Sequence, residues 1–340
     1  MSSIIRAVVP FLVLILCLIG GDDPSKEDKG VPWQDAVSYS LPRNAATKSR
    51  LTQSASWLVK HATTLAMPGQ DKPVRVIAWK DPTLEPGSPK LLAGYLITDT
   101  LWSAKALKLF DPVVSREMEE SIDRLGWYGN GLQDVLFHPI DRLRHRPADA
   151  DIVHGHSLGH FPAADGYVVD VRVFRQQWDA KFDVGHPALF AEHALYAALN
   201  DFWHGRTEPA RQRVLEVIAD RRAADPQDRI FWDDQAGILV DHVNFRDWLA
   251  FHEGKRPACR HFTFKLGVLL YAIRVLGMEA EIGAPLRSMH RRLWSAQTES
   301  GGVAHYVDVL ADGRGTAGRE PTGEASAIAI LAEVVEPKRR

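Results

Sequence analysis

The strongest constraint on the fold is an alternation between two kinds of predicted helix. One kind is apolar on nearly every face, and the other is amphipathic, with charged residues along one side. The apolar helices are predicted at 93–110, 187–203, 262–276 and 322–335, and the amphipathic ones at 115–125, 209–224 and 285–297. A helix that is apolar all round must be surrounded by protein, whereas a striped helix lies outside it. The alternation therefore predicts an all-α fold, with an inner ring of helices backed by an outer ring.

One segment breaks this helical pattern, although a further helix is predicted at 47–66. Residues 167–174 alternate apolar and polar side chains with the period of a β-strand, and residues 152–156 can pair with them. We therefore predict a small β-hairpin over residues 149–176, inserted between helical pairs.

The N-terminus has the pattern of a secretory signal peptide. Arg6 precedes an apolar run over residues 7–19, and small and then polar residues follow. The sequence thus predicts a signal peptide at 1–21, a flexible leader at 22–45 and one domain at 46–336. We expect export to the periplasm or the extracellular space, with no membrane span after cleavage. An uncleaved leader would instead anchor the protein in the membrane.

The composition bears on the partners of the chain. The 340 residues include 41 basic and 43 acidic ones, a formal net charge of -2. This balance provides no electrostatic reason to expect nucleic acid or an anionic membrane surface as a partner. The 10 tryptophans could stack on sugar rings, although most tryptophans in proteins fill the core.

The apolar helices carry their few charged side chains near their N-termini, at Asp99, Glu192, Lys265 and Glu324. Inner helices of a ring run parallel, so these N-termini should converge at one mouth. Buried charge is costly unless it is paired or used. We therefore predict a cleft in which Asp99, Glu192 and Glu324 act as acid, base or substrate ligands. The alternative is that these residues cap helices and form salt bridges between them.

Other residues are candidates for binding the substrate or for further acid–base roles. The predicted substrate-binding residues are Tyr95, His193, Trp232, Lys265, His305 and Tyr306. Asp234 joins the catalytic candidates, because glycoside hydrolysis needs two carboxyl groups and the aromatic segment around it also contains Asp241-His242. His305 and Tyr306 follow a Gly-Gly turn and could act as base and acid in β-elimination of a polysaccharide. The alternative is that these residues lie in solvent-exposed loops and turns and have no functional role.

A histidine cluster offers a different hypothesis. His154 and His156 would face the same way on a strand, which suits a divalent metal such as zinc. The sequence does not identify a third ligand. A His-ligated metalloenzyme is therefore kept as an alternative, and the leading hypothesis needs no cofactor.

Two motifs resemble the α/α-toroid proteins. They are Trp294-Ser-Ala-Gln-Thr-Glu-Ser-Gly-Gly-Val303 and Pro321-Thr-Gly-Glu-Ala-Ser-Ala327. That group includes six-hairpin glycosidases, toroidal polysaccharide lyases and terpenoid-cyclase or prenyltransferase-like proteins. A Gln-x-x-x-Gly-Gly turn commonly joins an outer helix to the next inner one in these proteins. The resemblance covers roughly residues 46–336 and implies an α/α toroid, complete or incomplete, more than it implies an activity.

The sequence departs from the cyclase branches of that group. It has no Asp-x-Asp-Asp run and no Asp-Asp-x-x-Asp diphosphate site, and Cys259-Arg-His261 is a poor zinc site. The resemblance therefore favours the carbohydrate-active branch. We expect an exported glycoside hydrolase or polysaccharide lyase that acts on a poly- or oligosaccharide. The alternative to an enzyme is a non-catalytic binding or scaffold protein of the same fold.

Overall fold

Helices and short strands alternate along the chain. The computed structural model describes residues 36–79, 91–127, 132–140, 156–173, 190–219, 230–318 and 320–338. The elements up to residue 140 are β1 (Val37–Tyr39), α1 (Ala45–His61), β2 (Ala62–Leu65), β3 (Val74–Ile77), β4 (Leu91–Tyr95), a π-helix (Leu96–Leu101), α2 (Trp102–Leu107), α3 (Pro112–Leu125) and a 3-10 helix (Leu132–Leu136). The later elements are β5 (His156–Pro162), β6 (Val168–Val173), α4 (Ala191–Trp203), α5 (Thr207–Ala219), β7 (Phe231–Asp233), β8 (Ile238–Val240), α6 (Phe245–His252), β9 (Ala258–Phe262), α7 (Thr263–Val275), α8 (Glu279–Ile282), α9 (Pro285–Trp294), β10 (Tyr306–Leu310), β11 (Gly315–Ala317), α10 (Gly323–Val334) and β12 (Val335–Pro337).

The strands of the described residues form five small sheets. Three sheets have two strands each, pairing β1 with β12, β2 with β3, and β7 with β8. The other two have three strands each, in the orders β11-β10-β9 and β4-β6-β5. All the strand pairs are antiparallel except β4 with β6, which is parallel.

The prediction of an all-α toroid over residues 46–336 is wrong. About 49% of the described residues are helical and about 23% lie in strands, so the protein has a mixed α/β fold. The fold likewise does not support the resemblance to six-hairpin glycosidases, toroidal lyases and terpenoid cyclases. Several strands have only three to five residues and pair with strands far away in the chain. An alternation of apolar and polar residues over only three to five positions is a weak signal for a strand. The local sequence also does not show which distant strand will be the hydrogen-bond partner.

Several predicted helices are partly strands for this reason. The helix predicted at 93–110 begins as β4, which pairs with β6 before the chain turns into the π-helix. The helix predicted at 47–66 ends at His61, because residues 62–65 form β2 and pair with β3. The small residues Ala93 and Gly94 are compatible with either conformation by themselves, so tertiary pairing decides the outcome.

The hairpin predicted at 149–176 is one part of a larger sheet. Strand β6 (Val168–Val173) coincides with the alternating segment, but its antiparallel partner is β5 (His156–Pro162), not residues 152–156. On its other edge β6 pairs with β4. Strands β5 and β6 are therefore joined to the rest of the fold through β4, which leads directly into the π-helix.

All the described residues, which lie between 36 and 338, belong to one compact unit. The predicted signal peptide at 1–21 lies outside the described residues. Strand β1, in the second half of the predicted leader, pairs with β12 and so belongs to the folded unit. Within the described part of the chain, no helix has both the length and the apolar character needed to cross a membrane.

Helices α7 and α10 form the centre of the hydrophobic core, and most of their residues are buried. They pack at close range through Gly267, where a Cβ atom would lie 2.6 Å from Cγ2 of Ile328. Burial of such apolar surface is the main force that holds the helices together. The same packing brings the N-termini of the two helices close to each other.

Candidate active site

Four helical segments start beside one group of polar side chains. The π-helix, α4, α7 and α10 each follow an extended residue, and these residues are Tyr95, Phe190, Phe262 and Thr322. Each helical segment then contributes a charged residue from its first or second turn. Together with two residues from neighbouring loops they form what we call the polar cluster: Asp99, Glu192, Asp241, Lys265, His305 and Glu324.

Lys265 joins two of the carboxylates. Its Nζ lies 2.6 Å from Oδ2 of Asp241 and 3.0 Å from Oε2 of Glu192. Asp241 also accepts hydrogen bonds from the backbone N–H groups of Ala191 and Val243, at 3.1 and 2.9 Å. Asp241 is therefore a structural partner of the start of α4 as well as of the lysine.

The environment of Lys265 keeps it charged. Burial acts to lower the pKa of the ammonium group, but Glu192 and Asp241 together raise it above its usual value. The rings of Phe190, Phe262 and Phe264 lie 5.6–5.9 Å from Nζ and add cation–π attraction.

Glu192 is less readily ionised than an ordinary glutamate. Burial raises the pKa of its carboxyl, Lys265 lowers it, and Asp241 raises it again, so that the pKa lies above its usual value. Glu192 therefore takes up a proton at a higher pH than an ordinary glutamate.

Asp99 is held against the start of α10. Its Oδ1 accepts a hydrogen bond from the backbone N–H of Glu324 at 2.6 Å, and its Oδ2 accepts one from Nε1 of Trp79 at 2.8 Å. The approach depends on Gly323, where a Cβ atom would lie 2.8 Å from Oδ1 of Asp99 and 2.7 Å from Cγ2 of Ile77. The carboxylate also faces the positive end of the helix dipole.

Glu324 is a carboxyl whose protonation is strongly perturbed by its surroundings. Burial raises its pKa well above the usual value, Asp99 and Glu192 raise it further, and Lys265 only partly compensates. Its side chain is nevertheless 18% exposed. Glu324 is therefore a carboxylic acid that keeps its proton at a higher pH than an ordinary glutamate does. Its exposed part remains accessible to a molecule from the solvent.

His305 adjoins this acid. Its Nδ1 lies 3.9 Å from Oε2 of Glu324, and its ring stacks on Phe264 with centroids 5.6 Å apart. Burial lowers the pKa of the imidazole to about 4, and the charges of Lys265 and Arg260 contribute to the same shift. His305 is therefore neutral at neutral pH, although its side chain is 38% exposed.

His193 and Tyr196 lie next to the cluster on α4. The ring of His193 is 5.1 Å from that of Phe190 and 6.4 Å from that of Tyr196. Burial lowers the pKa of His193 to about 4, with Lys265 acting in the same direction. Tyr196 was not among the candidates from the sequence, although its position four residues after Glu192 puts both on one face of the helix.

The structure does not bring every sequence candidate to the cluster. Asp234 instead accepts hydrogen bonds from Oγ of Ser288 at 2.7 Å and from Nε1 of the buried Trp232 at 3.1 Å, and these bonds lower its pKa. The ring of Tyr306 lies under the guanidinium of Arg260, 3.7 Å from ring centroid to Cζ. Tyr306 is the first residue of β10, whereas His305 precedes the strand, and the Tyr306 ring packs on Arg260 rather than on the cluster.

Tyr95 has an intermediate position. Its ring lies 6.3 Å from that of Trp79, which binds Asp99, and its hydroxyl lies 3.5 Å from Nη1 of Arg172. Tyr95 therefore connects the cluster to the β4-β6-β5 sheet. No local sequence signal would have identified Trp79, because its contact with Asp99 depends on tertiary packing.

The predicted metal site at His154 and His156 lies only partly within the described residues. His154 lies outside the described residues, and His156 is the first residue of β5. Within the described ranges there is no group of three or more His, Cys, Asp or Glu side chains placed to hold a metal ion.

A buried histidine behind the cluster leads to a prediction about stability. His261 is 1% exposed, its Nδ1 accepts the backbone N–H of Leu239 at 3.2 Å, and its Nε2 has no hydrogen-bond partner among the described residues. Burial, followed by the charges of Arg292 and Lys265, lowers its pKa to about 3. Below pH 6.5, the usual value, the unfolded chain therefore binds a proton that the folded chain does not.

We expect this histidine to reduce stability as the pH falls from 6.5 towards 3. Relative to a His261→Gln variant, the free energy of unfolding of the natural protein should fall by up to about 1.4 kcal/mol per pH unit in that window. Urea unfolding of both proteins at a series of pH values measures this difference. Parallel pH dependences of the two proteins would contradict the prediction.

The chain matches no protein-family model, and no curated protein and no solved structure is similar enough to count as a match.

Proposed function

We propose that the polar cluster is the active site of a glycoside hydrolase, with Glu324 as the proton donor to the glycosidic oxygen. The observation that carries this proposal is that Glu324 is a partly exposed carboxyl with a raised pKa, beside other carboxyl groups. A general acid in glycoside hydrolysis needs such a raised pKa so that it is protonated at the working pH.

The second requirement is a carboxylate that acts as base or nucleophile or stabilises positive charge. Glu192 is the candidate, since it influences Glu324 electrostatically and pairs with Lys265. Asp99 and Asp241 add further negative charge to the polar cluster. An oxocarbenium-like transition state is positively charged, so fixed carboxylates would stabilise it.

Hydrolysis accounts for the site better than the β-elimination considered from the sequence. Elimination needs a base that removes a proton from carbon, and the pKa of His305 is lowered to about 4. A base with so low a pKa has little driving force for that step. The partly buried rings of Phe190 and Phe264 lie beside Lys265 and His305 and offer flat surfaces for a sugar ring. The proposal includes export through the signal peptide predicted at 1–21.

The test is a panel of polysaccharides and oligosaccharides with the mature chain, beginning at Asp22. New reducing ends and the ultraviolet absorbance of unsaturated products are followed together, because only elimination produces the absorbance. New reducing ends without absorbance, lost in Glu324→Gln, would support the proposal. Absorbance would replace it with a lyase. The absence of turnover across the panel would favour the non-catalytic alternative, in which the cluster only stabilises helix packing.

A further inference from the structure

Tyr196 stands out among the buried groups that the proposed chemistry does not use. It lies on α4 one helical turn after Glu192, and its residue surface is only 2% exposed. Side chains on a helix lean towards its N-terminus, so the phenol at position 196 reaches back towards the level of Glu192. Its ring also contacts that of His193 at 6.4 Å between centroids.

The hydroxyl of Tyr196 makes no hydrogen bond to the described residues, and it is not one of their fully enclosed polar atoms. The small exposed fraction of this residue is therefore compatible with a hydroxyl that borders accessible space. Tyr271 provides the comparison inside the same core. Its hydroxyl donates to the backbone oxygen of Leu136 at 2.8 Å and lies 3.0 Å from the hydroxyl of Tyr39. Among the described residues, the core therefore provides hydrogen-bond partners for the hydroxyl of Tyr271 and none for that of Tyr196.

The surroundings of Tyr196 determine what its hydroxyl can do. Burial raises the pKa of the phenol well above its usual value, and the nearby Glu324 and Glu192 raise it further. The phenol therefore keeps its proton at a pH at which an ordinary tyrosine ionises. It can donate a hydrogen bond but cannot act as a base.

We propose that Tyr196 is a further substrate-contacting residue, whose hydroxyl donates a hydrogen bond to a substrate oxygen next to the bond that Glu324 protonates. This inference rests on the proposed function, because it needs a substrate in the polar cluster. Tyr196 transfers no proton in this role. Its bond holds the sugar in place relative to Glu324, and such bonds assist catalysis when they strengthen in the transition state.

The experiment compares Tyr196→Phe with Tyr271→Phe, on the substrate that the carbohydrate panel identifies. Tyr196→Phe removes an oxygen without breaking a hydrogen bond to any described residue. Its melting temperature should therefore equal that of the natural protein, while kcat should fall roughly tenfold or more. Tyr271→Phe breaks buried hydrogen bonds to Leu136 and Tyr39, neither of which belongs to the polar cluster. Its melting temperature should fall by about 2–4 °C with kcat unchanged.

The outcomes separate this inference from the proposed function. If Glu324→Gln is inactive while Tyr196→Phe keeps the natural kcat and KM, the inference is wrong and the proposed function stands. If Tyr196→Phe instead loses thermal stability to the same extent as Tyr271→Phe, its role is structural and the inference is again wrong. If the natural protein turns over nothing in the panel, both proposals are wrong. Loss of kcat at an unchanged melting temperature supports the inference.

Discussion

Replacement of Glu324 by glutamine is expected to lower kcat by roughly 10²–10⁴-fold, the usual contribution of a general acid. Glutamine has nearly the same shape but cannot supply a proton to the leaving oxygen. The fold should tolerate the change well, because burial, Asp99 and Glu192 already favour the neutral form of the natural side chain. Steady-state kinetics on the substrate found in the panel measure the effect.

The pH dependence should identify the same group. In the natural protein the activity should decline on the alkaline side as Glu324 loses its proton, and this decline should begin above the range of ordinary carboxyl groups. The raised pKa also means that stability is lost as the pH rises through it, because the unfolded chain ionises first. Glu324→Gln should therefore be at least as stable as the natural protein at neutral and alkaline pH.

Glu320 provides the matched control for this substitution. It is an exposed glutamate four residues before Glu324 in the chain. Glu320→Gln should keep both the natural kcat and the natural pH profile. A Glu324→Gln variant with full activity would exclude Glu324 as the proton donor, whatever its pKa.

Replacement of Lys265 by methionine is expected to cost about 3–5 kcal/mol of the free energy of unfolding, as is typical when one partner of a buried ion pair is removed. Methionine fills a similar volume but leaves the carboxyls of Glu192 and Asp241 without their cation. The side chains of Lys265 and Asp241 are 7% and 2% exposed, so water cannot replace the lost charge effectively. Chemical denaturation at neutral pH measures the loss.

The loss should depend on pH in a definite direction. In the natural protein the raised pKa of Lys265 keeps its contribution present below the usual lysine pKa, and this contribution is lost only as the pH rises through the folded value. In Lys265→Met the two carboxyls should become harder to ionise in the folded state. The destabilisation should therefore shrink as the pH falls into the carboxyl range, where both can be protonated.

Lys255 is the control for the removal of a lysine as such. Its side chain is 70% exposed and pairs with Glu253 at 2.7 Å. Exposed ion pairs contribute little, so Lys255→Met should change stability by no more than about 0.5 kcal/mol. If the two lysine substitutions lowered the free energy of unfolding equally, the buried ion pairs of Lys265 would contribute no more to stability than an exposed pair.

The grouping of the candidate residues was largely foreseeable. Polar residues near the starts of otherwise apolar helices are a local pattern, and Glu192, Lys265 and Glu324 follow it. The structure places Lys265 against Glu192, and Asp99 against the backbone of Glu324. Their catalytic roles stay predictions. Asp234 and Tyr306 show the limit of the approach, because a loop position and a strand face depend on neighbours that the local sequence does not specify.

Local patterns in the chain determine most helix positions and the polar residues at their N-termini, since helix periodicity and terminal residues act within a few positions. Only the tertiary structure decides that the fold is mixed α/β. Strands such as β1 and β12, or β4 and β6, acquire their hydrogen-bond partners from distant parts of the chain. Tertiary packing likewise decides the protonation of Glu324 and the absence of a hydrogen-bond partner for the Tyr196 hydroxyl within the described ranges. Both depend on which charges and which solvent-excluding side chains the folded chain brings together, because burial and Coulomb interactions act through space rather than along the sequence.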